Sequence, residues 1–236
     1  MEIAVAGLRG LNKQLRIEQV LNAASELFAT QGYEATHIED IARAARVSPG
    51  TIYNYFLTKA NILTALAVRH ARQSLPARRA LIRNPPDDPL AAVQAFEKLL
   101  ADQALNTLGR ECWRVIFAAP YSQPASRLHR AGIVFNRLIL RHYVQMLAGF
   151  QDRGAIDAKV EIKELADLFT AIGTHHFGQF ISSNAMTVEE LKSAIEKHVS
   201  LIFSGLLSQS QKPARRNGTR AAVISLPRGV ASKRKR

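Results

Sequence analysis

A short polar stretch around Asn54 carries the side chains best suited to specific chemistry. Ile52 and Phe56 are four residues apart, so both face one side of a helix. The other side and its edge carry Thr51, Tyr53, Asn54 and Tyr55. An asparagine amide offers both a donor and an acceptor to a base edge, and Thr and Tyr hydroxyls suit phosphate. This face has little acid and is therefore suited to approach the major groove of DNA.

Three short helices are predicted to position this face. The first has an apolar stripe at helical spacing: Ile17, Val20, Leu21, Ala24, Leu27 and Phe28. Gly32 ends that helix, because glycine tolerates the left-handed conformation. Thr36 followed by Glu39 predicts a capping box at the start of the second helix. Ser48 then caps the third helix, which Pro49 opens.

The second and third helices are joined by a tight turn at residues 46–48, which predicts a helix-turn-helix. Residues 16–65 hold four basic and five acidic side chains, a net charge of −1. Two of the acids, Glu39 and Asp40, lie in the first turn of a helix and complement its dipole. Basic residues flank the segment: Arg9, Lys13, Arg16, Arg69, Arg72, Arg78, Arg79 and Arg83. We expect these flanks to supply the attraction to phosphate.

The rest of the chain keeps a helical periodicity with almost no strand pattern, which predicts an all-α fold. After a break at 84–89, helices are expected over 89–108, 111–118, 126–153, 162–183 and 187–207, with Pro120 and Pro124 bracketing a loop. We divide the chain into a flexible N-terminal arm (1–15), a helix-turn-helix domain (16–66), a larger helical domain (67–207) and a disordered basic tail (208–236).

One series of residues has the order and spacing of a known domain. It comprises Ala24, Leu27, Phe28, residues 32–36, residues 38–42, Ala45, Val47, Ser48, residues 50–56, Lys59 and Leu63. With these residues, the segment from Ile17 to Leu66 resembles the N-terminal DNA-binding domain of the TetR family of bacterial transcriptional regulators. The remaining two-thirds resembles the family's helical ligand-binding and dimerisation bundle in length and pattern only.

The resemblance implies a set of residues in contact with DNA: Thr36, Arg46, Ser48, Pro49, Gly50, Thr51, Tyr53, Asn54, Tyr55 and Lys59. The residues of this set that would hold phosphates are Thr36, Tyr53, Tyr55 and Lys59. Asn54 would lie where bases are read. One position departs from the family, since Arg46 stands where a glycine is usual. A left-handed arginine there costs about 1 kcal/mol, and its side chain has the reach to contact phosphate.

Two apolar stripes on the last two predicted helices are candidates for a dimer interface. The predicted interface residues are Leu168, Ile172, Gly173, His176, Phe180, Leu191, Ile195, Val199 and Ile202. Gly173 would allow close approach, and two helices from each subunit would make a four-helix bundle. A dimer would place two recognition helices on two half-sites. The alternative is that both stripes belong to the core of a single chain.

Aromatic and histidine side chains of the larger domain predict a pocket for a small molecule. The predicted lining residues are Trp113, Phe117, Tyr121, Phe135, His142, Met146, His175 and Phe177. The alternative for each is a place in the ordinary core. Adjacent helical residues such as His175 and His176 point about 100° apart, so they do not readily share a metal ion. We therefore predict no metal site and no cofactor.

Composition narrows the remaining classes of function. A single cysteine, Cys112, excludes an internal disulfide, and core packing is favoured over a redox thiol or a nucleophile paired with His142. The phosphate-loop, zinc-protease, hydrolase and dinucleotide motifs are absent from the sequence, which argues against an enzyme. No run is long and apolar enough for a membrane helix, and no signal peptide is expected. A cytoplasmic, nucleoid-associated protein is expected.

The formal net charge is +13, but nine basic residues and no acids in 208–236 leave only +4 for residues 1–207. The sequence thus favours a ligand-responsive repressor that binds a double-stranded DNA operator as a homodimer and is released by a small-molecule effector. Two alternatives stay open. One is a non-specific nucleic-acid-binding protein driven by the basic tail. The other is a helical ligand-binding module that does not recognise an operator.

Overall fold

The computed structural model describes the backbone of residues 2–210 and the side chains of residues 10–105 and 108–205. The described backbone forms nine helices and no strand, so the all-α prediction is confirmed. The helices are α1 (Glu2–Thr30), α2 (Ile38–Ala44), α3 (Pro49–Phe56), α4 (Lys59–Arg83), α5 (Pro89–Thr107), α6 (Arg110–Ser122), α7 (Arg127–Asp152), α8 (Ile162–Ser182) and α9 (Val188–Ser210). The basic tail predicted over 208–236 lies outside the described residues from 211 onward.

The N-terminal arm predicted over residues 1–15 is helical from Glu2 and forms the first half of α1. The physical reason is that this segment contains no proline and is rich in residues that favour helices. Nothing in the sequence therefore interrupts the helix ahead of its packed half. Leu11 and Leu15 are 57% and 53% exposed, so these two side chains do not pack on the core.

The helix-turn-helix has the predicted order, but α2 begins one residue later than expected. The N-cap is His37, whose backbone N–H is accepted by the Asp40 carboxylate at 3.2 Å. The predicted box of Thr36 and Glu39 is therefore replaced by His37 and Asp40. The turn that follows has Arg46 at φ 55°, the left-handed conformation expected where the family has glycine.

Capping residues set the starts of several helices, including the predicted cap at Ser48. The side chains of Ser48, Asp88 and Ser126 accept backbone N–H groups in the first turns of α3, α5 and α7. Thr187 and Glu190 form a capping box before α9. Helix α6, however, runs through Pro120 to Ser122, where a loop was expected.

The larger domain packs α4 on α7, α5 on α9, and α8 between α7 and α9. This packing buries most of the predicted dimer stripes inside one chain. Phe180, Leu191 and Val199 have no exposed surface, and Ile195 and His176 are 4% and 5% exposed. The intramolecular alternative is correct for these five residues, because a chain buries its most apolar stripes in its own core without the entropic cost of association.

The other four predicted interface residues divide between the two faces of these helices. Ile172 and Ile202 are half-buried against the core, whereas Leu168 is 46% exposed. Gly173 faces inward, where a Cβ atom would lie 2.9 Å from both carboxylate oxygens of Glu97. Its lack of a side chain makes room for an internal carboxylate rather than for a second subunit.

Candidate nucleic-acid interface and ligand cavity

The outer face of α3 and the turn before it form a continuous polar surface. Its exposed members are Arg46, Ser48, Pro49, Gly50, Tyr53 and Asn54. Thr51 and Tyr55 are half-buried at its edges. Ile52 and Phe56 are 1% and 7% exposed on the opposite side, so α3 is held by two apolar anchors while its polar side faces solvent. Eight of the ten predicted DNA-contact residues therefore lie at this surface.

Two small residues shape the start of α3. The Ser48 hydroxyl accepts the Thr51 backbone N–H at 3.2 Å and also hydrogen-bonds the Thr51 hydroxyl at 2.9 Å. Gly50 lies in open space, since the nearest atom to an added Cβ would be Ser48 Oγ at 3.8 Å. Internal packing therefore does not require glycine there. The missing side chain leaves a low surface that another molecule can approach closely.

Thr36 is not positioned for the phosphate contact that the resemblance implies. Its side chain has no exposed surface, and its hydroxyl donates to the Gly32 carbonyl at 2.7 Å. This hydrogen bond closes the loop between α1 and α2. The exposed group at the start of α2 is instead His37, which the sequence prediction missed because it placed the cap one residue too early.

Lys59 also differs from its predicted role as a phosphate contact. Its ammonium group donates to the carbonyl oxygens of Tyr33, Glu34 and Thr36 at 2.8, 3.2 and 3.1 Å. It also lies 4.4 Å from the centre of the Tyr33 ring. An ammonium has three N–H donors, so this set uses all of them. Lys59 holds the loop between α1 and α2 against the start of α4.

Other basic residues expected to attract phosphate also have internal roles. Arg69 donates to Asn22 Oδ1 at 2.7 Å and joins α4 to α1. Arg78 is 1% exposed within the larger domain. Near the polar surface, Arg43 at the end of α2 and Arg46 in the α2–α3 turn are exposed cations. The positive charge close to the recognition helix is therefore carried by the turn itself.

A cavity of about 320 Å³ opens among α4, α5, α6, α7, α8 and α9. Five of the eight predicted lining residues border it: Trp113, Phe117, Tyr121, Phe135 and Phe177. The ring of Phe177 packs 5.4 Å from that of Trp113 and 5.5 Å from that of Phe117, measured between ring centres. Tyr121 is 90% exposed, so it stands at the mouth. Aromatic side chains thus make one wall of an accessible cavity.

The remaining three predicted lining residues lie elsewhere. Met146 and His142 are buried in the core, and His142 packs edge-on against the Phe96 ring. His175 is exposed on the outer face of α8. Cys112 is fully buried, and burial raises the pKa of its thiol to about 12, so it has no thiolate character at neutral pH.

Polar residues outside the predicted set also line the cavity, among them His70, Glu97 and Tyr143. The Tyr143 hydroxyl donates to Glu97 Oε1 at 2.5 Å, deep inside the domain. Burial raises the pKa of Glu97 to about 7, although the Tyr143 hydrogen bond acts in the opposite direction. Burial and the positive charge of Arg78 lower the pKa of His70 to about 4, so this imidazole is neutral.

Arg78 also borders the cavity and was outside the predicted set. The buried residues of α4 recur at about every fourth position: Ile62, Leu66, His70, Ser74, Arg78 and Ile82. Each step of four residues turns the buried face by about 40°, so the positions of Ile62 and Leu66 alone do not predict that Arg78 faces inward. The positive charge of Arg78 favours an exposed position in a prediction from sequence.

Residues 20–66 match the family described as bacterial regulatory proteins, tetR family. The N-terminal domain is therefore similar to that of the TetR family. Two curated relatives are similar over part of this chain. The regulator HbdR of Aromatoleum sp. (strain CIB) is 52% identical over 48 residues, which is 20% of this chain and 21% of HbdR. The activator FasR of Mycolicibacterium smegmatis is 35% identical over 89 residues, 36% of this chain and 41% of FasR. These matches span less than half of either relative.

Solved TetR-family structures have a fold similar to that of the described residues. Thermus thermophilus FadR, a TetR-family transcriptional repressor solved in complex with lauroyl-CoA, superposes with a TM-score of 0.62. The match covers 86% of this chain and all of FadR at 20% identity, so it concerns the fold alone. Within residues 2–210, no helix combines the length and hydropathy needed to cross a bilayer.

One contact joins the TetR-type DNA-binding domain to the cavity domain. The Glu111 carboxylate, in the first turn of α6, accepts the Glu34 backbone N–H at 2.8 Å. It also packs on Gly32, where a Cβ atom would lie 2.2 Å from Glu111 Oε2. The same helix carries Trp113 and Phe117 into the cavity. Helix α6 therefore touches both the cavity and the loop that precedes α2.

Proposed function

We propose that this protein is a ligand-responsive transcriptional repressor of the bacterial cytoplasm. It binds a palindromic DNA operator as a homodimer and releases it when a small molecule enters the cavity. The observation that carries the proposal is the exposed polar face of α3, anchored by Ile52 and Phe56 and joined through α4 and α6 to a domain with an open cavity. Base edges are read by Asn54, while Tyr53, Ser48 and Arg46 hold the DNA backbone.

The dimer forms through the outer face of α8 and α9 rather than through the stripes predicted from sequence. This face carries Leu168, Ala171 and His175 on α8 and Ala194, His198 and Leu201 on α9, each exposed or half-exposed. Leu201 is 65% exposed, and the alanines allow helices to approach closely. A second copy of the same face covers these apolar side chains and makes a four-helix bundle.

Release follows from the two helices that join the cavity to the DNA-binding domain. Helix α4 borders the cavity at His70 and Arg78 and begins at Lys59, whose ammonium holds three loop carbonyls. Helix α6 contacts the same loop through Glu111. A ligand that shifts either helix changes the orientation of α3 and hence the separation of two recognition helices. A coupling of about 1–3 kcal/mol is enough for a useful switch.

The complex of FadR with lauroyl-CoA supports the proposal that a protein of this fold binds a small molecule. In the present chain, the cavity volume of about 320 Å³ lies at the lower end of the range of roughly 300–1,000 Å³ typical of small-molecule sites. We therefore assign the effector site to this cavity.

The test is fluorescence anisotropy of the full chain with DNA from upstream of its own gene, followed by selection from random DNA. Excess non-specific competitor near physiological salt suppresses the purely electrostatic contribution. We expect one palindromic sequence to be retained, with two half-sites separated by about 34–36 Å. A variant lacking residues 211–236 keeps that preference if α3 reads the DNA. Loss of all binding in this variant contradicts the proposal and supports tail-driven binding.

A further inference from the structure

Arg78 is a buried cation without an acidic partner. It is 1% exposed, and its Nε donates to Gln103 Oε1 at 2.7 Å, whereas its Nη1 has no hydrogen-bond partner. Its guanidinium carbon lies 5.1 Å from the centre of the Phe135 ring. Among the residues described by the structure, no carboxylate oxygen lies within 4.0 Å of it. Buried charges are normally paired, so this arrangement is incomplete.

The unpartnered group borders the cavity rather than the packed core. Arg78 lines the cavity together with His70, Glu97 and Tyr143. Burial lowers the pKa of Arg78 to about 10, which still leaves it protonated at neutral pH. A molecule in the cavity can therefore supply the missing acceptor. The charge-assisted hydrogen bond that it forms is stronger than a neutral one.

Apolar side chains of the same cavity accept an apolar body. They include Leu100, Trp113, Ile116, Phe117 and Phe177. The Trp113 indole N–H donates to the Ala104 carbonyl at 2.9 Å, so this ring offers the cavity only its apolar surface. A ligand that satisfies both Arg78 and these side chains is amphipathic, with an acceptor at one end.

The charge of that acceptor is limited by the surroundings of Arg78. One cation with one unpartnered nitrogen neutralises one negative charge. A phosphate dianion would leave a second charge buried near Glu97, which is costly in a cavity with apolar walls. A planar carboxylate also matches the planar guanidinium fork. Burial favours the neutral form of Glu97, which limits its repulsion of a ligand anion.

We propose that the cavity binds a small amphipathic monocarboxylate, with its carboxylate on Arg78 and its aliphatic or aromatic body against Trp113 and Phe177. This inference rests on the proposed function for its regulatory meaning only. The binding itself requires neither an operator nor a dimer. The effector is then an amphipathic monocarboxylate, and Arg78 selects its negative charge.

The experiment is isothermal titration calorimetry of the full chain without DNA. The probes are hexanoate, octanoate, benzoate and 4-phenylbutyrate, each compared with its uncharged primary amide. We expect the best carboxylate to bind the wild type roughly 30-fold or more tightly than its amide, since breaking a buried charge pair costs at least that much. Equal affinity of acid and amide overturns the proposal, as does a panel in which no carboxylate binds.

Matched variants identify the group responsible. Arg78→Met removes the charge and is expected to abolish the preference for the acid while retaining the weaker binding of the amide. Arg79→Met removes an exposed charge one residue away and is expected to change affinity by about twofold or less. An unchanged preference in Arg78→Met overturns the assignment. Arg78→Gln, which removes the charge but keeps a polar side chain, replaces Arg78→Met with the same expected result if the latter does not fold by circular dichroism.

Calorimetry and the operator-binding assay together distinguish this inference from the proposed function. Carboxylate binding without any operator preference supports the inference and contradicts the repressor. Operator release by octanoyl-CoA, with no binding of free acids, retains the repressor and overturns the monocarboxylate. Operator release by the same acid that calorimetry selects, lost in Arg78→Met, supports both.

Discussion

The two functional regions of this chain use their polar side chains in opposite ways. On α3, Asn54 faces solvent, and the helix is held by Ile52 and Phe56 on its other side. In the cavity, Arg78 and Glu97 are themselves part of the buried interior, at 1% and 5% exposed. The polar side chains on the exposed face of α3 can therefore be replaced without changing the fold. Those of the cavity cannot, because each polar group that would select a ligand also contributes to the stability of the domain.

Two glycines show the same contrast. An added Cβ at Gly50 would have only Ser48 Oγ nearby, at 3.8 Å, whereas one at Gly173 would meet the Glu97 carboxylate at 2.9 Å. Gly50 leaves space for another molecule, and Gly173 leaves space for a side chain of the same molecule. A small residue near a functional site thus has two different physical meanings, depending on which side of the helix it occupies.

The largest expected effect comes from the buried carboxyl of Glu97. Its pKa rises from 4.5 to about 7 on folding, so between these values the folded chain keeps a proton that the unfolded chain releases. The free energy of unfolding therefore falls as pH rises through this window, by on the order of 3 kcal/mol, and is constant above it. Urea denaturation of the wild type and of Glu97→Gln between pH 5 and 8 measures this difference.

The comparison with Glu97→Gln is needed because buried histidines change the free energy of unfolding with pH in the opposite direction. Burial lowers the pKa of His70 and His142 to about 4, so their contribution to stability is lost as pH falls below 6.5. These two residues are the same in both proteins and cancel in the difference. A wild type and a Glu97→Gln variant with parallel pH profiles would show that the Glu97 carboxyl titrates normally.

Replacing Lys59 tests its internal role and is expected to have a smaller effect on stability. Lys59→Met removes three hydrogen bonds to loop carbonyls, so we expect the free energy of unfolding to fall by about 2–3 kcal/mol. Arg43→Met is the matched control, since its ion pair with Asp40 is exposed and is worth about 0.5 kcal/mol. Thermal denaturation gives both values. A stable Lys59→Met protein with a reduced salt dependence of DNA binding would instead support a phosphate contact.

Substitutions of two asparagines in the N-terminal domain separate an effect on operator affinity from an effect on stability. Asn54→Ala is expected to weaken operator binding roughly tenfold or more, about 1.4 kcal/mol, without changing the melting temperature. Asn61→Ala loses its hydrogen bond to the Phe56 carbonyl at 2.6 Å and is expected to lower stability by about 1 kcal/mol with unchanged operator affinity. Anisotropy and calorimetry on both variants check this. Equal operator affinity of Asn54→Ala and wild type would remove Asn54 from the reading surface.

These contrasts also explain which features can be predicted from the sequence. The start of α3 follows from Ser48 and Pro49, because capping and proline geometry act within one turn. The spacing of Ile52 and Phe56 fixes which side of α3 is buried. Such features depend on neighbours in the chain, and they include the left-handed turn at Arg46.

Features set by distant contacts could not be predicted in the same way. A charged residue such as Arg78 is normally exposed, and only the packing of α4 on α7 places it inside. Likewise, the stripe of Leu191 and Val199 looks the same whether it packs on α5 or on a second chain. Lys59 has the reach for phosphate, but the loop carbonyls in the folded chain are closer partners.

The smallest expected effect comes from the turn at Arg46, where strain and charge can be separated. The left-handed conformation of Arg46 destabilises the folded chain by about 1–2 kcal/mol, and glycine removes this strain. Glycine also increases the entropy of the unfolded chain, which offsets about 0.5–1 kcal/mol of the stabilisation. We therefore expect Arg46→Gly to raise the free energy of unfolding by about 1 kcal/mol or less. It should also lower the logarithmic salt slope of operator binding by about one, because one cation is lost.

Arg46→Ala is the control for this pair of effects, since it removes the charge but keeps the strained backbone. Its salt slope should match that of Arg46→Gly, and its stability should stay close to that of the wild type. Stability that falls in Arg46→Gly would show that the arginine side chain stabilises the turn by more than its backbone conformation costs. Unchanged salt slopes in both variants would leave Arg43 as the cation of the turn that holds phosphate, because it is the other exposed basic side chain there.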